Sequence, residues 1–130
     1  MSEVAILETK QEAEEKAKQI PDPVGYRILC MVPKIESTFK SGIIKSDDTI
    51  NLEQQTTIVL YVAKIGIDAY KDEKRFPSGP WCKVGDFIIT RAYTGTRVLL
   101  HGTEWRICND DSVEAVVDDP RGISRAGGNV

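Results

Sequence analysis

The residues whose types could carry metal or nucleophile chemistry are few: Cys30, Cys82, Cys108 and the single histidine, His101. A structural zinc site takes four ligands at tetrahedral spacing, so all four would have to converge. No Cys-x-x-Cys pair starts such a site, and nothing in the spacing favours it. A Cys82/His101 pair would need the imidazole to deprotonate the thiol, and no signature surrounds either residue. An odd number of widely spaced cysteines is not a disulfide framework. Cys30 and Cys108 stand in alternating apolar stretches, so all three cysteines read as small core or boundary hydrophobes in a reducing compartment. The expectation is a protein with no metal, no cofactor and no catalytic group.

The remaining chemistry is non-covalent, and it concentrates in one place. The segment from Glu36 to Gln55 is polar, lacks a strong period and lies between two clear strands. A structureless stretch of about 20 residues inside a compact domain points to a functional loop or to a wrong element assignment. Within it, Gly42-Ile43-Ile44 is an isolated apolar island. Two adjacent β-branched residues in a polar loop either dock into a partner's apolar groove or fold back to cap the core. Composition alone leaves both readings open.

The elements that would position this loop follow from periodicity. Residues Glu8 to Ile20 read as a short helix, with Glu12–Lys16 and Glu14–Lys18 pairs and a thin stripe of Ile6, Ala13, Ala17 and Ile20, stopped by Pro21 and Pro23. So narrow a stripe predicts a solvated or weakly docked appendage. The period then changes to two. Tyr26, Ile28, Cys30 and Val32 mark a strand ending at Pro33, and Ile58, Leu60 and Val62 share a face of a second strand from Thr57 to Ile65. Four shorter strands are expected at Asp86–Ala92, Arg97–Leu100, Glu104–Cys108 and Ser112–Val117. They are separated by the turn formers Thr94-Gly95-Thr96, His101-Gly102-Thr103 and Asn109-Asp110-Asp111. Short strands without intervening helices predict an all-β, antiparallel barrel or sandwich. The chain divides into a helical extension (1–22), a β-domain (23–117, with the loop at 36–55) and a glycine-containing tail (118–130) expected to be flexible.

Composition narrows the class. The chain has 130 residues, 17 Lys+Arg against 20 Asp+Glu, a net charge of −3 and 41% hydrophobic residues. That suits one domain with one core. No run approaches the ~18 apolar residues of a membrane span. Glu3, Glu8 and Glu12 stand where a signal peptide would be basic and then apolar, so the reading is cytoplasmic. The balanced, mildly acidic surface argues against nucleic-acid coating. One rival remains, an open β-barrel that stacks single-stranded nucleic acid on Tyr26, Phe87, Tyr93 and Trp105, although the few arginines in those strands are offset by acids.

Several motifs, taken in order, carry a family resemblance over residues 23–117. Pro23-Val24-Gly25-Tyr26-Arg27-Ile28-Leu29 opens the first strand, Ser41-Gly42-Ile43-Ile44 lies in the long loop, and Lys83-Val84-Gly85-Asp86 precedes Phe87-Ile88-Ile89. Glu104 to Val117 supplies a closing pair of strands. This order and spacing resemble the small co-chaperonins, the GroES-like family. The resemblance implies a small irregular antiparallel β-barrel with a mobile loop, and a non-enzyme that forms a ring, seven-membered in the family. Such a ring lids a GroEL-like barrel chaperonin, encloses unfolded client protein and leaves ATP binding to its partner. It makes Ser41, Gly42, Ile43 and Ile44 the chaperonin-binding residues and tips the loop reading toward docking. Ring closure needs pairing between subunits, for which the first and closing strands offer Tyr26, Ile28 and Val116, residues that read equally as core. Medium-chain dehydrogenases also contain a GroES-like domain, but this chain has no glycine-rich dinucleotide motif. The chain departs from the family at Ser41, where a glycine is usual, at both terminal extensions, and at Ile67–Trp81, which lacks the Asn-Gly signal of a roof hairpin. Such departures resemble the co-chaperonin variants carried by bacteriophages.

Overall fold

The computed structural model describes residues 3–33 and 57–127. A helix, α1 (Glu3–Lys18), precedes six strands: β1 (Arg27–Met31), β2 (Val59–Ile65), β3 (Phe87–Ile89), β4 (Thr96–Leu100), β5 (Thr103–Asn109) and β6 (Ala115–Val117). A short 3-10 turn, Asp110–Ser112, joins β5 to β6. No described helix is long and apolar enough to cross a membrane.

The strands form one antiparallel sheet in the order β4-β5-β1-β2-β3-β6, the expected all-β barrel. Among the described residues no pairing joins β4 to β6, so the barrel is open along those two edges. The centre is β1, paired on both sides, and its Ile28, Leu29 and Cys30 are fully buried. Period-two alternation puts Ile28 and Cys30 on the core face with Leu60, Val62, Ile88 and Cys108. A bulge between Leu29 and Cys30 in the β1–β2 register brings Ile65 opposite Ile28 although Val62 lies opposite Cys30. The extra residue keeps Leu60, Val62 and Ile65 all against the core, which strict alternation would forbid.

Between β2 and β3 the chain forms turns rather than a hairpin, and these turns close one end of the core. Tyr70, Phe76 and Cys82 are buried there. Phe76 meets the Tyr70 and Trp81 rings edge-on, with centroids 4.9 Å apart in both cases. Tyr70 adopts a left-handed φ of 62°. That conformation costs about 1–2 kcal/mol for a residue with a Cβ. It is held by a 3.0 Å hydrogen bond from the Tyr70 amide to Asp110 Oδ2 and by a 3.4 Å contact between Tyr70 Oη and Cys82 Sγ. Arg75 pairs with Asp111 across the same junction.

The helix runs beside the sheet with its residues 11–18 exposed, as the narrow stripe predicts. Ala13, Ala17 and Ile20 line a half-open depression of about 330 Å³ together with Leu100, Thr103 and Trp105 of the β4–β5 hairpin. His101 and Gly102 both have positive φ (48° and 79°), the backbone of a two-residue type I′ turn. His101 Nε2 lies 2.6 Å from Gln19 Oε1, tying the hairpin tip to the end of α1. Strand boundaries differ from the sequence expectation where turns intrude. The third strand stops at Ile89, before the turn that carries Tyr93 at φ 65°, and the last is shortened by the 3-10 turn.

Two glycines separate steric from conformational need. A Cβ on Gly66 would sit 2.4 Å from the Gly25 carbonyl oxygen and 2.6 Å from that of Arg27. At Gly85 (φ +97°) a Cβ meets open space. Gly66→Ala, which must move backbone, should destabilise by about 3 kcal/mol, and Gly85→Ala by about 1 kcal/mol. Urea unfolding of the two variants checks this ranking.

Candidate docking surface

The sequence-predicted docking residues Ser41, Gly42, Ile43 and Ile44 lie outside the described residues. What the structure describes is the frame that carries them. β1 and β2 are neighbouring antiparallel strands, with Met31 opposite Tyr61, so residues 32–58 leave and re-enter at the same end of the sheet. The outgoing root is held by the Val32 amide, which donates to the Glu104 carbonyl at 2.9 Å. At the returning root, the Thr57 carbonyl accepts from Arg106 Nη1 at 3.4 Å. One strand, β5, therefore contacts both roots.

The side chains behind those contacts form a charged group inside the barrel. Register places Arg106 opposite Cys30, on the core face of β5, with Glu104 two residues before it. Arg106 is fully buried and Glu104 is 4% exposed. Glu104 Oε2 accepts from Arg106 Nε at 3.0 Å, while Oε1 accepts from Arg97 Nη2. Burial pushes the Glu104 carboxyl up, but the hydrogen bonds from the two arginines outweigh it and hold the group below its ordinary range. Sequence reasoning missed this group because charged residues are taken to face solvent. The available signal was parity: with Cys108 inward, Arg106 and Glu104 must be inward too.

The proposed subunit contacts separate. Tyr26 and Val116 are each 44% exposed, but Ile28 is fully buried in the core and has no surface to offer a neighbour. That assignment is corrected: β1 is the centre of the sheet, not an edge. One edge is β6, where Trp81, Val113, Glu114, Ala115 and Val116 line a shallow depression of mixed polarity. The four aromatics of the nucleic-acid reading do not assemble a stacking platform, because Trp105 is buried and Phe87 packs on Tyr61 at 5.3 Å. Cys30, Cys82 and Cys108 are buried free thiols, whereas His101 is on the hairpin tip, so the four are not brought together. The hydrogen bond to Cys108 and burial raise the Cys30 thiol, and burial raises that of Cys82. Neither is a ready nucleophile.

The Lys83-Val84-Gly85-Asp86 motif has a local structural role. The Asp86 carboxylate accepts from the Lys83 amide at 2.9 Å and from its Nζ at 2.8 Å, closing a turn that needs the positive φ of Gly85. The Gly85 amide then donates to the Val62 carbonyl, and the Val62 amide to that of Asp86, which aligns β3 with β2.

No protein-family model matches the chain. Curated relatives do. Over 98 residues it is 35% identical to the co-chaperonin GroES of Caldicellulosiruptor saccharolyticus, covering 75% of this chain and 96% of that protein. The chain belongs to the GroES co-chaperonin family. The co-chaperonin GroES of Clostridium perfringens is 31% identical over 96 residues, and that of Clostridium botulinum 29% over 96 residues, each match covering 74% of this chain and 96% of the relative. The motifs read from the sequence and the antiparallel sheet thus belong to one family, whose members span nearly their full length in this chain.

For this GroES-family chain, the Glu104–arginine group carries a pH signature. The folded carboxyl titrates below its ordinary value near 4.5. Its contribution is therefore full at higher pH and is lost as pH falls through the folded value. Glu104→Gln should cost about 3 kcal/mol at pH 7, since it leaves a buried guanidinium without its carboxylate. The penalty should shrink on acidification to pH 3.5, as followed by urea unfolding of both proteins.

Proposed function

We propose that this chain is a lid subunit for an ATP-driven barrel chaperonin. What carries the reading is its identity to co-chaperonins across 96% of their length. Copies of the chain would form a ring, heptameric as in the family, that seats on a GroEL-like partner in the cytoplasm and encloses unfolded client protein. ATP binding and hydrolysis belong to the partner, and the chain itself is not an enzyme. Its own chemistry is reversible docking. Ile43 and Ile44 enter an apolar groove of the chaperonin, with Ser41 and Gly42 shaping the turn before them. Ordering a loop costs about 1–2 kcal/mol per fixed residue before contacts offset it, so one loop binds weakly. A ring presents its loops together, and avidity restores affinity while keeping release sensitive to the partner's conformation.

Subunit contacts fit the exposed edge of β6 with Val116, and the stretch around Tyr26 just before β1. An open edge strand, with unpaired backbone groups, is a ready site for strand addition. The segment 67–81, folded onto the core end, supports a lid that differs locally from a hairpin-roofed one.

Co-sedimentation of the purified protein with a bacterial double-ring chaperonin tests the reading. The expected outcome is a complex formed with ATP and lost in the Ile43→Asp/Ile44→Asp variant, which should keep the native oligomer mass. A double variant that still binds and supports refolding of a denatured client overturns the loop assignment. A free protein that is monomeric by native mass, with no ATP-dependent complex, overturns the lid.

A further inference from the structure

We infer that Arg106 is a positioning residue for chaperonin docking, fixing the roots of the 34–56 segment from inside the barrel. The inference rests on the docking-loop reading above. Arg106 has 0% exposure and its Nη1 reaches the Thr57 carbonyl at 3.4 Å, at the point where the segment returns to the sheet. Its orientation is set by Glu104, whose two carboxylate oxygens are divided between Arg106 Nε and Arg97 Nη2. The backbone of Glu104 simultaneously accepts from the Val32 amide at 2.9 Å, where the segment departs. Two residues of one strand therefore contact both ends of the segment, adding to the β1–β2 pairing that sets their separation.

A permanently charged side chain inside a small barrel is not there for stability alone. Replacing a buried ion pair with apolar residues of similar volume is often neutral or stabilising. The guanidinium has one property that Leu or Met lacks, a rigid fork of donors that can hold a carboxylate and a carbonyl at once. A loop anchored at fixed roots samples fewer end-to-end separations. It therefore gives up less freedom on docking and presents its apolar anchor at a set position relative to the ring. The effect multiplies because every loop in a ring shares it.

The test compares affinity for a purified bacterial double-ring chaperonin with ATP at 25 °C, where folding is verified by thermal melts and native mass. Arg106→Lys keeps the buried charge but loses the fork, and should bind about fivefold weaker while fully folded. Glu104→Gln/Arg106→Met removes both charges and should bind about tenfold weaker or worse. A folded variant with unchanged affinity overturns the inference, because a merely structural role lowers the melting temperature without moving affinity below it. On the unmutated protein, the Val32 amide, which donates to the Glu104 carbonyl, should exchange as slowly as those at the centre of β5. Exchange as fast as in exposed turns overturns the clamp without recourse to variants. Failure of the docking-loop reading looks different: the Ile43→Asp/Ile44→Asp variant would then bind like the unmutated protein.

Discussion

An arginine that cannot shed its charge sits at zero exposure inside this barrel, and the surrounding architecture answers to it. Its guanidinium must be satisfied within the fold. Glu104 supplies the carboxylate from two residues away on the same strand, Arg97 reaches in from β4, and the Thr57 carbonyl is drawn to the interior end of β2. The β4–β5 hairpin, the approach to β2 and, through the Glu104 carbonyl, the exit from β1 are thereby tied to one strand. An apolar residue at position 106 would fill the same volume without the links to Glu104 and the Thr57 carbonyl.

The other end of the core is closed by different means. The stretch between β2 and β3 has no long run of alternating residues, and it buries Tyr70, Phe76 and Cys82 by folding turns over the open barrel end. Asp110 makes this closure specific, since its carboxylate receives the Tyr70 amide while its own amide donates to the Tyr26 carbonyl. The start of β1, the end of β5 and the aromatic turns therefore meet at one buried acid. The barrel is thus closed at one end by aromatics and organised at the other around a charge group.

Family membership and strand register supply two separate pieces of the functional reading. Relatedness says that the chain is a co-chaperonin by descent. The register of β1 and β2 says that the long polar segment starts and ends at one rim of the barrel, held by contacts to β5. The function proposed for the chain lives in that rim and not in any cleft, and the three cysteines, for all their reactivity as a type, are packing residues.

How much was legible in the residues alone depended on the range of the interaction. Local periodicity sufficed for the six strands and the helix, because alternation and turn formers act between near neighbours. The ordered motifs, Lys83-Val84-Gly85-Asp86 above all, sufficed for the family. Three features were decided only by tertiary structure. Ile28 looked available for subunit contact until β1 proved to be the central strand, since strand order is not encoded in any one strand's pattern. The α1 stripe stays largely exposed, and only the β4–β5 hairpin decides that Leu100 and Trp105 lie across an open depression from it. Parity groups Glu104 and Arg106 with Cys108, but that this face of β5 turns inward is set by what packs on it, and that information lies far away along the chain.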